Sequence, residues 1–118
     1  MDALEVRSRA VSKYIRMSPH KVRLVVDLVR GRGVREALDI LRFTPKAAAK
    51  VVAKTIASAA ANAEDVHGLS PDELYIAKIT ADEGPMLKRG RAGARGRFKP
   101  ILRRSTHITV VLAEKARA

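Results

Sequence analysis

The sequence predicts an α+β fold: a three-stranded antiparallel sheet packed by three helices, with a long protruding β-hairpin. Three observations carry this expectation. Strand-like runs stand near the start of the chain and again after residue 73, with helical patterning between them. Two pairs, Ser18-Pro19 and Thr44-Pro45, signal helix starts, and Gly31 and Gly68 signal helix stops. Between the last two strand-like runs lies GPMLKRGRAGARGRFKPILRR, Gly84 to Arg104, which has too few large apolar residues to bury itself. The element order is β-ααα-β-arm-β. The 118 residues suit one domain over 1–118, with residues 82–105 as a basic β-hairpin within it.

Glu5 to Arg16 reads as the first strand, with Arg7, Arg9, Val11, Lys13 and Ile15 on one parity and Ala10 and Tyr14 on the other. Ser18 as N-cap and Pro19 at the first helical position open a helix through HKVRLVVDLVR, which stops at Gly31. Val22, Val25, Val26 and Val29 mark its apolar face, and Leu24 and Leu28 widen it. VREALDILRF follows as a short second helix, with Val34, Leu38 and Leu41 inward and Glu36 and Asp39 as surface charges. Thr44-Pro45 then opens the longest helix, rich in alanine and so strongly helix-forming. Val52, Ile56, Ala59, Ala60 and Ala63 form its core stripe, with Asn62 hydrogen-bonded near it. Lys46, Lys50 and Lys54 form an opposed stripe that faces either RNA or water. A second strand, LYIAKITADE, puts Leu74 and Ile76 on one parity and Tyr75, Ala77 and Ile79 on the other. Gly84-Pro85 marks a bend or an edge, because proline cannot donate to a central ladder. The third strand runs from Thr106 to Leu112 and is strongly β-branched. Past the sheet, each leg of the arm is about nine residues, reaching roughly 30 Å.

Composition narrows the function. Apolar residues make up 47% and aromatics 3%, so the core is aliphatic. Lys and Arg total 24 against 12 Asp and Glu, a net charge of +12. That much charge opposes the compact state unless a polyanion neutralises it. The absence of cysteine excludes disulfides and Cys-based zinc sites. No apolar run reaches the roughly 18 residues of a spanning helix, and MDALEVRSR has no apolar signal core, so a soluble cytoplasmic protein is expected. His20, His67 and His107 are scattered, no nucleotide-binding glycine motif occurs, and the carboxylate pairs sit in caps and turns. No enzyme activity, metal or cofactor is expected.

The binding signal is stronger. The arm holds Lys88, Arg89, Arg91, Arg95, Arg97, Lys99, Arg103 and Arg104, and no acid follows until Glu114. Arginine adds bidentate geometry to charge and suits a dense phosphate field. The scarcity of aromatics argues against base stacking on single strands. His20, Lys21 and Arg23 oppose the dipole of the helix they open, which a phosphate at that helix start would relieve. The candidate RNA-binding residues are these eight arm cations, Arg7, Arg9, Lys13 and Arg16 of the first strand, and Ser18, His20, Lys21 and Arg23. Shape-led binding to structured RNA is the first reading. The alternative is a free-standing basic nucleic-acid-binding protein acting on DNA. An anionic-membrane binder would need bulky apolar anchors that the arm lacks.

The runs YIRMSPHKVRLVVDLVRGRGVREALDIL (Tyr14 to Leu41), SAAANAE (Ser58 to Glu64), ADEGPMLKRGRAGARGR (Ala81 to Arg97) and STHITVVL (Ser105 to Leu112) carry a resemblance. In this order they resemble the bacterial large-subunit ribosomal protein twenty-two family over essentially the whole chain. The resemblance implies a compact α+β domain on the outside of the large subunit and a β-hairpin along the wall of the polypeptide exit tunnel. It implies binding to large-subunit (23S) rRNA, a part in assembly, and neighbouring large-subunit ribosomal proteins and the nascent polypeptide as partners. Neither a membrane nor a homo-oligomer is expected. The family's hairpin tip corresponds to Lys88 to Gly96, which makes Gly90, Arg91, Ala92, Gly93, Ala94 and Arg95 the tunnel-facing residues. Many relatives carry bulkier residues there, whereas GRAGARG is small.

Overall fold

A computed structural model describes residues 7–85, 87–92 and 98–115. The elements run β1 (Arg7–Ile15), α1 (Pro19–Val29), α2 (Val34–Arg42), α3 (Ala47–His67), a 3₁₀ turn (Pro71–Glu73), β2 (Leu74–Glu83), β3 (Leu87–Ala92), β4 (Phe98–Arg103) and β5 (Thr106–Glu114). The fold is α+β, as the sequence predicts. β1, β5 and β2 form an antiparallel sheet in that order, so the last strand in the chain is the central one. β5 can occupy the centre because its inward residues Ile108, Val110 and Leu112 are all fully buried aliphatics. α3 lies over β1 and β5, α1 lies over β2, and α2 packs on α1 and α3. The helices thus cover one face of the sheet.

The core is aliphatic. Val22, Val25, Val26 and Val29 of α1, Val34 and Ala37 of α2, and Val52, Ile56, Ala59 and Ala63 of α3 are completely buried. Leu24 and Leu28 do not widen the apolar face of α1; they are 46% and 42% exposed. At 100° per residue, valines at 22, 25, 26 and 29 already fill the arc that faces the sheet. Three hydroxyl hydrogen bonds tie the layers and their connections together. Ser8 Oγ donates to the Ala59 carbonyl at 2.7 Å, Ser12 Oγ meets Thr55 Oγ1 at 2.7 Å, and Thr106 Oγ1 donates to the Met17 carbonyl at 2.7 Å.

The helix punctuation is partly as expected. Ser18 is the N-cap residue of α1 with Pro19 behind it, but its side chain makes no capping hydrogen bond. Gly31 and Gly68 take positive φ angles of 78° and 66° past α1 and α3. The Gly68 and Leu69 amides reach back to the carbonyls of Glu64 and Ala63, which closes α3. Thr44-Pro45 does not open α3, whose N-cap is Lys46. Instead Thr44 Oγ1 donates to the Ile40 carbonyl at 2.7 Å and so serves the end of α2. Asn62 is exposed, yet its amide donates to the Arg9 carbonyl at 3.3 Å.

Two irregularities break strand alternation. The β1–β5 register shifts between Ser12 and Ile15, where Tyr14 takes a φ of 57°. The Tyr14 amide donates to His107 Nδ1 at 3.1 Å, and the two rings meet edge-on with centroids 5.0 Å apart. These contacts offset the cost of a bulky residue in the left-handed region. The bulge turns Ile15 from the exposed parity of Arg7 and Arg9 towards the core. The β2–β5 register likewise shifts between Ile76 and Lys78. Ile79 and Ala81 thereby join Leu74 and Ile76 on the buried face, although their parity in sequence is opposite.

β3 and β4 form a separate two-stranded antiparallel ribbon, from Leu87 opposite Arg103 to Ala92 opposite Phe98. Pro100 is tolerated there because neither strand of a two-stranded ribbon is central. The radius of gyration is 17.6 Å and the longest dimension 69 Å against 30 and 23 Å. A compact chain of this length would have a radius near 13–14 Å. At the root of the ribbon the register differs by one residue, with Glu83 opposite Thr106 before the joint and Leu87 opposite Arg103 after it. The Gly84 amide donates to the Ser105 carbonyl at 3.0 Å, and Ser105 Oγ donates to the Pro85 carbonyl at 2.7 Å. A Cβ on Gly84 would lie 2.5 Å from that Oγ. Gly84→Ala should therefore destabilise the domain by about 1–2 kcal/mol in denaturant unfolding. Adding Ser105→Ala to it should recover much of the loss, because it removes the clashing oxygen.

Candidate nucleic-acid interface

The face of the sheet away from the helices is basic. Arg7, Arg9 and Lys13 project from β1 and are exposed. Arg9 stands opposite Val111 of β5, which stands opposite Lys78 of β2. Arg9 and Lys78 thus occupy one row of the open face, two strand spacings or roughly 10 Å apart. Lys78 escaped the sequence reading because its parity matches that of Leu74 and Ile76. Only the bulge before it turns it outwards.

A second cluster forms where β1 hands over to the helices. Arg16, Met17 and Ser18 of the connection, Lys21 and Leu24 of α1, and Lys46, Ala47 and Ala48 at the start of α3 line a recess of about 560 Å³. Three exposed cations, Arg16, Lys21 and Lys46, stand on its rim. Neither α1 nor α3 has an acidic residue in its first turn. Among the described residues no carboxylate lines the recess. Lys46 enters this cluster from 25 residues further along than Lys21, and only the packing of α3 beside α1 brings them together.

The other predicted residues divide. His20 is exposed on α1 but does not line the recess. Arg23 is exposed, and its Nε donates to the Ala81 carbonyl at 3.0 Å, which ties α1 to β2. Lys88, Arg89, Gly90, Arg91 and Ala92 lie on β3 and Lys99 and Arg103 on β4, in a register that sets Arg91 opposite Lys99 and Leu87 opposite Arg103. Arg104 is exposed beside the joint. Gly93, Ala94, Arg95 and Arg97 lie outside the described residues. Several other arginines are engaged in ion pairs: Arg30 with Asp27, Arg32 with Glu36 and Arg35 with Asp72. Glu36 and Asp72 are thus surface ion-pair partners. Among the described residues no group of three or more His, Asp or Glu is placed to hold a metal, and no helix is long and apolar enough to cross a membrane.

The family model for ribosomal protein L22p/L17e matches residues 10–113. Similar proteins include the large ribosomal subunit protein uL22 of Thermoanaerobacter sp. (strain X514), 54% identical over 110 residues, covering 93% of this chain and 99% of that protein. The large ribosomal subunit protein uL22 of Syntrophobacter fumaroxidans is 53% identical over 107 residues, 91% of this chain and 97% of its own. That of Thermus thermophilus is 51% identical over 110 residues, 93% and 97% of the two chains. The family match begins within β1, after Arg7 and Arg9, and ends within β5; it takes in Lys13 and Lys78 of the open sheet face and the whole recess. The chain belongs to the ribosomal protein L22p/L17e family.

Proposed function

We propose that this protein is a structural constituent of the large ribosomal subunit in the cytoplasm, that it binds large-subunit (23S) rRNA and supports assembly, and that it acts through binding alone, without catalysis. The domain, residues 1–118, seats on rRNA through its basic surfaces. The arm, residues 82–105, runs along the exit tunnel, and Gly90 to Arg95 face the nascent polypeptide. Neighbouring large-subunit proteins complete its surroundings. The carrying observation is the convergence of Arg16, Lys21 and Lys46 on one recess that no carboxylate lines among the described residues. Arg9 and Lys78 on the open sheet extend the basic surface, and the eight cations of the arm add a third contact zone. Cations gathered from distant segments with no acid among them fit phosphate.

A salt titration tests this reading. If six to eight phosphates are engaged, the logarithm of the affinity for a 23S fragment should fall against that of the salt concentration with a slope of about −4 to −7. Duplex DNA of equal length should bind more weakly at every salt concentration, because shape as well as charge is read. A flat salt dependence, or equal affinity for the DNA, would overturn it.

A further inference from the structure

We propose that the crease between α2 and α3 is a docking site for an acidic amphipathic helix of a protein partner, a surface that adjoins the recess inferred above to bind rRNA and shares Lys46 and Ala47 with it. The crease encloses about 840 Å³ and is lined by Leu38, Leu41 and Arg42 of α2, the Thr44–Lys46 link, and Ala49, Lys50, Ala53, Lys54 and Ala57 among the residues of α3. Its floor is apolar. Leu41 and Ala49 are buried, Leu38 and Ala53 are half-buried, and Ala57 is open. Its rim is cationic, because Arg42, Lys46, Lys50 and Lys54 are all exposed and among the described residues no Asp or Glu lines the crease. The ion pairs that occupy Arg30, Arg32 and Arg35 leave these four cations untouched.

Spacing and floor together select the partner. The lysines recur every four residues, which on a helix is about 6 Å of rise. A helix lying along the crease with Glu or Asp every four residues repeats at the same interval and meets each lysine in turn. From Lys46 to Ala57 the crease runs for roughly 16 Å, the length of three helical turns. Apolar side chains at i, i+3, i+4 and i+7 of such a partner would rest on Leu38, Ala53 and Ala57. Alanine at 49, 53 and 57 lets that helix approach closely. A phosphate backbone matches the lysines but has nothing to place on the floor. The lining itself carries no aromatic ring to stack a base, and the exposed ring of neighbouring Phe43 lies beside the Arg42 guanidinium, 5.8 Å from it. Charge and shape are complementary to a protein helix.

The test uses the full chain and a labelled 18-residue peptide with leucines on one helical face and glutamates flanking them. A scrambled peptide of identical composition controls for charge alone. The designed peptide should bind with micromolar affinity in fluorescence anisotropy, and the scrambled one at least tenfold more weakly. Lys50→Glu with Lys54→Glu should weaken the designed peptide more than tenfold. Ala57→Gln, which fills the mouth of the crease without changing charge, should weaken it severalfold while leaving affinity for the 23S fragment unchanged. Circular dichroism verifies that both variants fold. The peptide should also bind the preformed complex of protein and 23S fragment. Equal binding of the two peptides would overturn the proposal, as would displacement of the designed peptide by the RNA fragment. The second result would assign the crease to RNA.

Discussion

Ile56→Ala should lower the thermal unfolding midpoint by roughly 10 °C, a large effect for a single truncation. Ile56 is fully buried in the helix that spans β1 and β5. Removing three carbons there loses their transfer free energy and leaves a cavity, together about 3 kcal/mol. A domain of this size has only about 5–15 kcal/mol to lose. The tightly packed surroundings, mostly Val, Ile and Ala, carry few long flexible side chains that could collapse into the space. Leu24→Ala deletes the same number of carbons from a residue that is 46% exposed. It should shift the midpoint by no more than a few degrees. Parallel differential scanning calorimetry of the two variants checks this; equal shifts would mean that the core does not lie where Ile56 sits.

Replacing Arg103 and Arg104 together with alanine should weaken 23S binding by about a hundredfold, from two charge-assisted contacts of roughly 1.5 kcal/mol each. β4 ends at Arg103, and exposed Arg104 follows it at the joint where the ribbon leaves the sheet. The backbone at this root is anchored to the sheet through the Gly84–Ser105 hydrogen bond, so less backbone entropy is lost on binding phosphate there than further along the arm. Deleting Gly90–Gly96 removes Arg91 and Arg95 but leaves the root intact. In the proposed role it should leave incorporation into large subunits largely unchanged and alter nascent-chain stalling. Subunit occupancy from sucrose gradients, read beside a stalling reporter, separates the two. A tip deletion that abolished incorporation, with an Arg103/Arg104 variant that assembled normally and altered stalling, would reverse the assignment.

Sequence by itself determined most of what is local or compositional. Valine at 22, 25, 26 and 29 defined the buried face of α1, because helical periodicity projects directly onto an angle. Gly31 and Gly68 marked the stops, since a left-handed residue there favours glycine. Net charge, the acid-free arm and the family motifs were all legible without coordinates. The tertiary structure decided whatever depends on how strands and helices meet. A bulge adds one residue, inverts parity and leaves no compositional trace, so the outward turn of Lys78 and the inward turn of Ile15 and Ile79 were hidden. Strand order was hidden as well, because antiparallel neighbours need not be sequence neighbours and β5 became central only by pairing on both sides. The recess of Arg16, Lys21 and Lys46 and the crease behind Lys50 and Lys54 exist only because α3 packs against both α1 and α2. A lysine stripe read along one helix is a row of charges; the neighbouring helix gives it an apolar floor.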